Sequence, residues 1–465
     1  MSRNRSPRSS ILFLFISCAA FAAFSGCVKK AVPPVPPPPQ IEPYADKLVI
    51  HLPAYKYFPK PYAATIEKYQ EEYPQTEVTV EKIGNADDYP GYGSDYQEHI
   101  ERSLAAGDGP DVILTRYVAD LYNSMDGGAF LDLSYYADND AEFDASGLNA
   151  AVYNAGVYRG ARCVMPLSYE LNILLAVRSS LESIRFDLSR DTDFVSFFNE
   201  ISDRLPLAKE NPEFIGMFDQ RYLYNFIVCA GLTVYDRENG NILPDKQAAR
   251  DFCEAYKPYY PTDASFEFVS GFGFEHLPHG THYFHIYSYQ PEIFYDHSRL
   301  KDLKFEPVIT AIRTLDGGLK ATVSEGIAVR AGAKNAANAW EFIKIMLTEE
   351  IQYTTPGSAE GFTSFPVNAA ALARQIDTIL DVGESIGFGT SDGYARYFCP
   401  AVPEEDKAPY RALHDSITDC AFNDLSIESA FIYYMAPYFT DEKSYDECID
   451  EFIKSIEEYL SGAAT

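Results

Sequence analysis

The chain repeats a pattern of buried strand, amphipathic helix and second strand, and this alternation constrains its fold more than any other feature. Residues 46–55, DKLVIHLPAY, have the continuous apolar character of a buried strand. Residues 61–74 place Ile66 and Tyr69 on one helical face, and residues 76–83 alternate as a second strand. A strand, a helix and a strand in this order favour a parallel sheet.

The next segment, residues 94–121, repeats the helix and the strand. Tyr96, Ile100 and Leu104 lie four residues apart and share one helical face, and Gly107 is expected to end the helix. The apolar run that follows the glycine predicts another short strand. We therefore predict the α/β fold class.

The N-terminus has the pattern of an export signal. Three arginines without an acid precede an apolar run at residues 11–24, which is too short to span a bilayer permanently. The Ser-Gly-Cys sequence that follows resembles the lipobox of bacterial lipoproteins, although Phe24 stands where leucine is usual. We expect residues 1–26 to be a signal peptide and Cys27 to carry a lipid. Simple secretion, with cleavage after the Ala-Phe-Ala run, is the alternative.

A proline-rich linker is expected to follow the anchor. Residues 27–43 contain six prolines within positions 33–39. Such a run adopts polyproline II at about 3.1 Å per residue, so the linker could hold a domain about 45 Å from its anchor.

Charge argues against nucleic acid as a partner. The formal net charge is -30, and removing the leader takes away three arginines and no acid, which makes it -33. Nucleic-acid binding draws most of its affinity from basic groups on phosphates. Downstream of the leader, no apolar stretch is long enough to predict a membrane span.

Four blocks of sequence resemble the extracytoplasmic solute-binding proteins of ABC importers, in particular the maltose-binding-protein-like group that carries sugars and oligosaccharides. The blocks occur in that family's order, at residues 64–84, 104–136, 158–181 and 322–368. The second contains the small-Gly-x-Gly-Pro-Asp-Val-Ile segment, and the last contains the Ala-Trp-Glu-Phe helix followed by Pro-Val-Asn.

The resemblance implies a two-lobed periplasmic-binding-protein-like fold, with a mainly parallel sheet flanked by helices in each lobe. Lobe 1 would comprise residues 44–168 and 312–353, and lobe 2 residues 169–311 and 354–465. Three crossings are expected, near residues 168–170, 307–312 and 353–357. A monomer would trap a solute by hinge closure and deliver it to a permease, without a cofactor, a metal or a chemical reaction.

The resemblance also implies which positions bind the ligand, because the family's contacts lie on loops at the carboxyl ends of strands. Carried over one by one, the candidates are Tyr55, Lys56, Arg116, Tyr117, Tyr169, Glu170, Asp219, Gln220, Arg221, Tyr222, Tyr224, Tyr287 and Tyr289.

The aromatic composition leaves the ligand class open. The only tryptophan, Trp340, lies in the Ala-Trp-Glu-Phe helix and is expected in the core, so any stacking platform must be Tyr or Phe. A sugar is favoured, and peptides, amino-acid derivatives or aromatic glycosides remain alternatives. A secreted glycosidase or lyase is the enzyme alternative, since carboxylate pairs are available among 68 acids.

Other patterns point only weakly to metal sites. His276, His279, His282 and His285 are spaced by three, which neither a strand nor a helix broken by Pro278 would align on one face. The acidic stretch at residues 138–149 lacks the glycine and the final glutamate of a calcium loop. The six cysteines beyond Cys27 are expected to be mostly free and buried.

Overall fold

The strand and helix alternation predicted at the start of the folded chain is present. In the computed structural model, Lys47–Pro53 (β1) and Glu77–Ile83 (β2) are parallel neighbours, and the helix Lys60–Glu72 (α1) connects them. The structure describes residues 47–54, 60–84, 94–187, 193–204, 213–216, 220–260, 277–279, 282–287, 292–354, 364–381, 383–390 and 393–461. The expected signal peptide, Cys27 and the linker lie outside these residues.

The other regular elements follow in chain order. The further strands are β3 Val112–Leu114, β4 Val157–Tyr158, β5 Ala161–Arg162, β6 Met165–Glu170, β7 Ile173–Val177, β8 Glu213–Gly216, β9 Tyr235–Asp236, β10 Asn241–Ile242, β11 His282–Tyr287, β12 Pro307–Thr310, β13 Lys320–Val329, β14 Phe365–Pro366, β15 Glu384–Thr390, β16 Gly393–Cys399 and β17 Asp419–Ala421. The further helices are α2 Ser94–Ala106, α3 Leu121–Asp126, α4 Ser134–Asn139, α5 Ala150–Asn154, α6 Arg178–Ser183, α7 Phe194–Arg204, α8 Gln220–Ala230, α9 Lys246–Tyr256, α10 Glu292–Asp302, α11 Ala336–Met346, α12 Glu349–Gln352, α13 Ala369–Thr378, α14 Glu404–Asp415, α15 Leu425–Phe439 and α16 Tyr445–Leu460.

Two main sheets define two lobes, as predicted. The first sheet has the strand order β14-β6-β13-β3-β1-β2, with β17 paired to one end of β13, and the second has the order β12-β7-β11-β8. Both sheets are mixed rather than mainly parallel, since β13 is antiparallel to β3 and β6, and β7 is antiparallel to β11 and β12. The reason is that β6 leaves the first sheet towards the second lobe and β13 returns from it, so these neighbours run in opposite directions.

Alternate residues of β7 enter two different cores. Leu174 and Ala176 pack with aromatic residues of α7, α8, α9, α15 and α16 in the core of the second lobe. Ile173, Leu175 and Val177 belong to the core that continues to β1, α1 and α11 of the first lobe. The strand β7 is therefore buried on both faces, and the second sheet packs against the apolar core of each lobe.

The chain passes from the first sheet to the second after β6 and returns to the first sheet before β13. Residues 171–172 join β6 to β7, and residues 311–319 join β12 to β13. The third expected crossing, near residues 353–357, lies mostly outside the described residues. The strand that follows it, β14, pairs with β6 in the first sheet, and β17 also joins this sheet. Residues 422–424 then lead to α15 and α16, whose apolar faces pack in the second lobe.

Polar side chains also join the lobes. Arg237, beside the hairpin β9–β10, donates through Nη1 to Asn123 Oδ1 at 2.9 Å and through Nε to Asp424 Oδ2 at 2.7 Å. Tyr459 Oη, on α16, donates to Asp120 Oδ2 at 3.0 Å. Since Asp120 and Asn123 begin α3, which packs on the first sheet, these bonds help to set the relative orientation of the lobes.

Trp340 and the acidic stretch form part of the first lobe's structure. Trp340 is buried, and its Nε1 donates to Asp140 Oδ2 at 2.7 Å, while Lys344 Nζ lies 2.7 Å from the same oxygen. Asp144 caps the 3₁₀ turn Ala145–Gly147. The stretch therefore tethers a helix, and the described residues contain no group of three or more candidate metal ligands.

The cysteines agree with expectation. Cys163, Cys229, Cys253, Cys399, Cys420 and Cys448 are free and buried, as predicted. Within the described parts of the chain, every helix is too short or too polar to cross a membrane.

Candidate functional site

A buried glutamate lies in the middle of β13, near the junction of the two lobes. Glu325 is 4% exposed and occupies an irregular position where the pairing of β13 with β6 shifts register. Tyr62 Oη, in the first turn of α1, donates to Glu325 Oε2 at 2.8 Å. Arg116 Nη1 donates to Glu325 Oε1 at 3.1 Å. Both carboxylate oxygens therefore have a fixed partner.

Arg116 is held at the carboxyl end of β3 by the local backbone. It lies in the 3₁₀ turn Thr115–Tyr117, which directly follows β3. This turn approaches β13 closely at Gly326, where an added Cβ would lie 2.8 Å from Thr115 Oγ1 and 2.7 Å from Val164 Cγ1. The side chain of Arg116 is 44% exposed, and a guanidinium has five N–H donors, so donors remain for a ligand.

The electrostatics of the site are set by burial and by a single guanidinium. Burial raises the pKa of Glu325, while Arg116 and the Tyr62 hydroxyl act in the opposite direction. Burial also raises the pKa of Glu170, at the end of β6; Arg116 opposes this shift and Glu325 adds to it. Arg116 thus stabilises two carboxylates whose charged forms are disfavoured by the protein interior.

The second lobe contributes Tyr224 to the same junction. Tyr224 lies on α8, which packs against β13 of the first sheet. Burial raises the pKa of its phenol above the usual range, and Glu428 and Glu170 raise it further. Glu428 lies on α15 of the second lobe and Glu170 on β6 of the first sheet. Because both carboxylates act on Tyr224, this tyrosine lies where the two lobes meet.

Four of the thirteen ligand-binding candidates are therefore brought to this junction: Arg116, Tyr117, Glu170 and Tyr224. The ring of Tyr117 packs edge-on against Tyr96, with centroids 5.1 Å apart, and remains partly exposed. These residues come from the turn after β3, from β6 and from α8, so the fold gathers positions that are far apart in sequence.

Two candidates lie in the core instead. Tyr169 is 0% exposed, and its hydroxyl is hydrogen-bonded to His414 Nδ1 at 2.9 Å. Tyr287 is buried, and its hydroxyl donates to Asp296 on α10. The side chains of alternate strand residues point to opposite faces, so Tyr169 points away from the face that carries the neighbouring Glu170.

The remaining candidates have no described side chain. Tyr55, Lys56, Asp219 and Tyr289 lie outside the described residues, whereas Gln220, Arg221 and Tyr222 have a described backbone in the first turn of α8. Of the histidine group, His276 also lies outside, His279 is exposed, and His285 is buried in β11.

Sequence reasoning missed Tyr62 and Glu325. Glu325 had a signal, because it is the one acid in the apolar strand sequence TVSEGIAV, and charged residues are rarely buried without a partner. Tyr62 had none, since an aromatic residue on the apolar face of α1 is equally well explained by core packing.

Solved structures share this fold. The sugar-binding protein MalE from Xanthomonas citri matches with a TM-score of 0.61 at 11% identity, covering 89% of this chain and 97% of that one. An extracellular solute-binding protein of family 1 from Alicyclobacillus acidocaldarius matches with a TM-score of 0.57 at 12% identity, covering 91% and 100%. An ABC substrate-binding protein from Listeria monocytogenes in complex with cycloalternan matches with a TM-score of 0.54 at 12% identity, covering 89% and 98%. No protein-family model and no curated protein sequence matches the chain.

Proposed function

We propose that this chain, which has the two-lobed fold of extracellular solute-binding proteins, is the substrate-binding component of an ABC importer and captures a sugar or oligosaccharide. The observation that carries the proposal is the buried Glu325, which holds a partly exposed Arg116 at the junction of the lobes. A charge-assisted hydrogen bond with one fixed partner orients the guanidinium before a ligand arrives. The structures compared include a sugar-binding protein and a complex with cycloalternan, which supports a carbohydrate ligand.

Binding would work by hinge closure. A ligand that contacts Arg116 and Glu170 on one side and Tyr224 on the other gains more contacts when the lobes approach, so it shifts the population towards the closed form. The permease would then recognise that form. Each step is a change of conformation, and no bond in the solute is made or broken.

Placement at the membrane would follow from the N-terminus. In this proposal, residues 1–26 direct export, Cys27 carries the lipid, and residues 27–43 hold a monomeric two-lobed domain near its permease. Cys27→Ser should release the protein from the membrane fraction into the extracytoplasmic fluid. Unchanged membrane association of the variant, measured by fractionation, would reject the lipid anchor but leave solute binding untouched.

The ligand is tested by thermal shift and calorimetry on the leaderless protein, with malto-, cello- and xylo-oligosaccharides, amino acids and short peptides as probes. A ligand at 100 times its dissociation constant should stabilise the protein by about 2.7 kcal/mol. We expect a neutral oligosaccharide to give the largest shift. Arg116→Ala should weaken its binding by about tenfold or more, because it removes a charged hydrogen-bond donor.

A matched control is Arg178→Ala. Arg178 is also half-exposed and paired with a glutamate, Glu306, but it lies at the far end of β7 from the junction. This variant should bind like the unmodified protein. Equal binding by Arg116→Ala and Arg178→Ala would contradict the assignment of the site. Amino acids or peptides as the best ligands would replace the carbohydrate with another solute class.

A further inference from the structure

Three buried polar atoms on the second lobe's side of the junction have no hydrogen-bond partner within the described residues. They are Asn172 Oδ1, Tyr224 Oη and Glu428 Oε2. Asn172 lies in the crossing between β6 and β7, Tyr224 on α8 and Glu428 on α15. Because native proteins pair the great majority of buried polar atoms, three unpaired ones in one region require an explanation.

The three residues belong to one surface. Helices α8 and α15 pack against each other, and the charge of Glu428 acts directly on the phenol of Tyr224. The Asn172 side chain acts on the pKa of the Cys229 thiol, five residues after Tyr224 on α8, and lowers it against the effect of burial. Asn172 also follows Glu170 by two residues, so this surface continues into the Arg116 site.

An unpaired buried polar group lowers the stability of the folded protein, and a ligand group of matching chemistry would recover this loss. The amide oxygen of Asn172 and the carboxylate of Glu428 are acceptors, and the Tyr224 hydroxyl can both donate and accept. The surface therefore calls for a ligand rich in hydrogen-bond donors. Hydroxyl groups satisfy all three atoms, whereas a carboxylate offers no donor.

Charge on the first lobe's side reinforces this selection. Among the described residues, Arg116 is the cation that acts on Glu170 and Glu325, so its positive charge is opposed by two carboxylates. Lys320, whose charge favours the ionised form of Glu428, also lies 3.4 Å from Asp419 and is shared with it. Burial raises the pKa of Glu428 to about 7, so above neutral pH, where Glu428 is ionised, a ligand carboxylate would meet an excess of carboxylates among the described residues of the junction.

We infer that Asn172, Tyr224 and Glu428 form the second lobe's half of the binding site and select uncharged, hydroxyl-rich solutes over those that carry a carboxylate, with Glu428 as the specificity-determining residue. The inference rests on the proposed function and adds a solute class to it. Glu428 comes from a helix near the C-terminus, far in sequence from the positions that the family resemblance supplies.

The experiment compares matched ligands. Maltotriose, cellotriose and xylotriose are each paired with an acidic counterpart: the first two with derivatives oxidised at a primary alcohol to the carboxylate, and xylotriose with a glucuronate-bearing form. For the pair that binds, we expect the acidic member to bind about tenfold more weakly above neutral pH, where Glu428 is ionised, as one like charge at close range predicts. Glu428→Gln should bring the two affinities to within about threefold of each other. Arg116→Ala should weaken the binding of both members of the pair. Its ratio of neutral to acidic affinity should stay larger than the ratio measured for Glu428→Gln.

Controls separate the possible outcomes. Glu254→Gln, an exposed glutamate on α9, should leave the ratio unchanged, and Tyr224→Phe should weaken the neutral member because one hydroxyl partner is lost. Equal affinities in the unmodified protein, or an unchanged ratio in Glu428→Gln, would overturn the inference while the proposed function stands. Absence of binding by every member of every pair would overturn both.

Discussion

His414 is a buried imidazole that links the second half of the chain to β6. Its Nδ1 is hydrogen-bonded to the Tyr169 hydroxyl at 2.9 Å, and its ring packs edge-on against Phe365 and Tyr410. Burial lowers the pKa of His414 from 6.5 to about 3. The folded protein therefore keeps this imidazole neutral over most of the physiological range.

Because the pKa of His414 differs between the folded and the unfolded chain, this residue makes the free energy of unfolding depend on pH. Between about pH 3 and 6.5 the unfolded chain binds a proton that the folded chain does not, so stability falls as the pH drops below 6.5. His414 should contribute a slope of about 1.4 kcal/mol per pH unit in that window. His414→Gln keeps a hydrogen-bonding group without a titrating site and should lose this slope. Denaturant unfolding of both proteins from neutral to acidic pH measures it, and parallel pH profiles would contradict the assignment.

At the scale of elements, β13 determines the position of the candidate site. The strand carries the buried Glu325 and, next to it, Gly326, which permits the close approach of the turn that contains Arg116. Val164 and Thr115, the residues nearest to an added Cβ at Gly326, are both buried and have little room to move.

Gly326→Ala should therefore destabilise the protein by about 1–3 kcal/mol, as overpacking of a tight core does. It should also weaken solute binding, because the displaced turn carries Arg116. Gly147→Ala is the control, since an added Cβ there meets no atom within 4 Å and the backbone is unstrained. Denaturant unfolding and calorimetry give the two readouts, and an alanine at Gly326 that behaves like the control would contradict this account of the turn.

Elements with a local sequence signal could be predicted, and those defined by distant partners could not. The apolar residues Leu48, Ile50 and Leu52 are enough to predict β1, because a buried strand is recognised from the apolar character of its own residues. The direction of β13 depends on its return from the other lobe, which no window of residues reveals. Likewise, Arg116 could be proposed from its place after β3, but its partner Glu325 is 209 residues away and is identified only by the fold.

At the scale of the whole molecule, two sheets are joined by connecting segments, by a polar interface and by the apolar core that β7 shares with the first lobe. Closure would bend the chain at residues 171–172, 311–319 and 422–424, which lie between elements of different sheets. The bonds of Arg237 and Tyr459 to the first lobe would have to adjust with it. Hinges of this kind concentrate backbone change in a few residues and leave each lobe rigid.

The central claim, that a solute closes the two lobes around itself, is tested most directly by small-angle X-ray scattering of the leaderless protein with and without a saturating neutral oligosaccharide. The account predicts a smaller radius of gyration in the bound state, and no such change for Arg116→Ala at the same oligosaccharide concentration. A bound oligosaccharide that leaves the radius of gyration of the unmodified protein unchanged would contradict it.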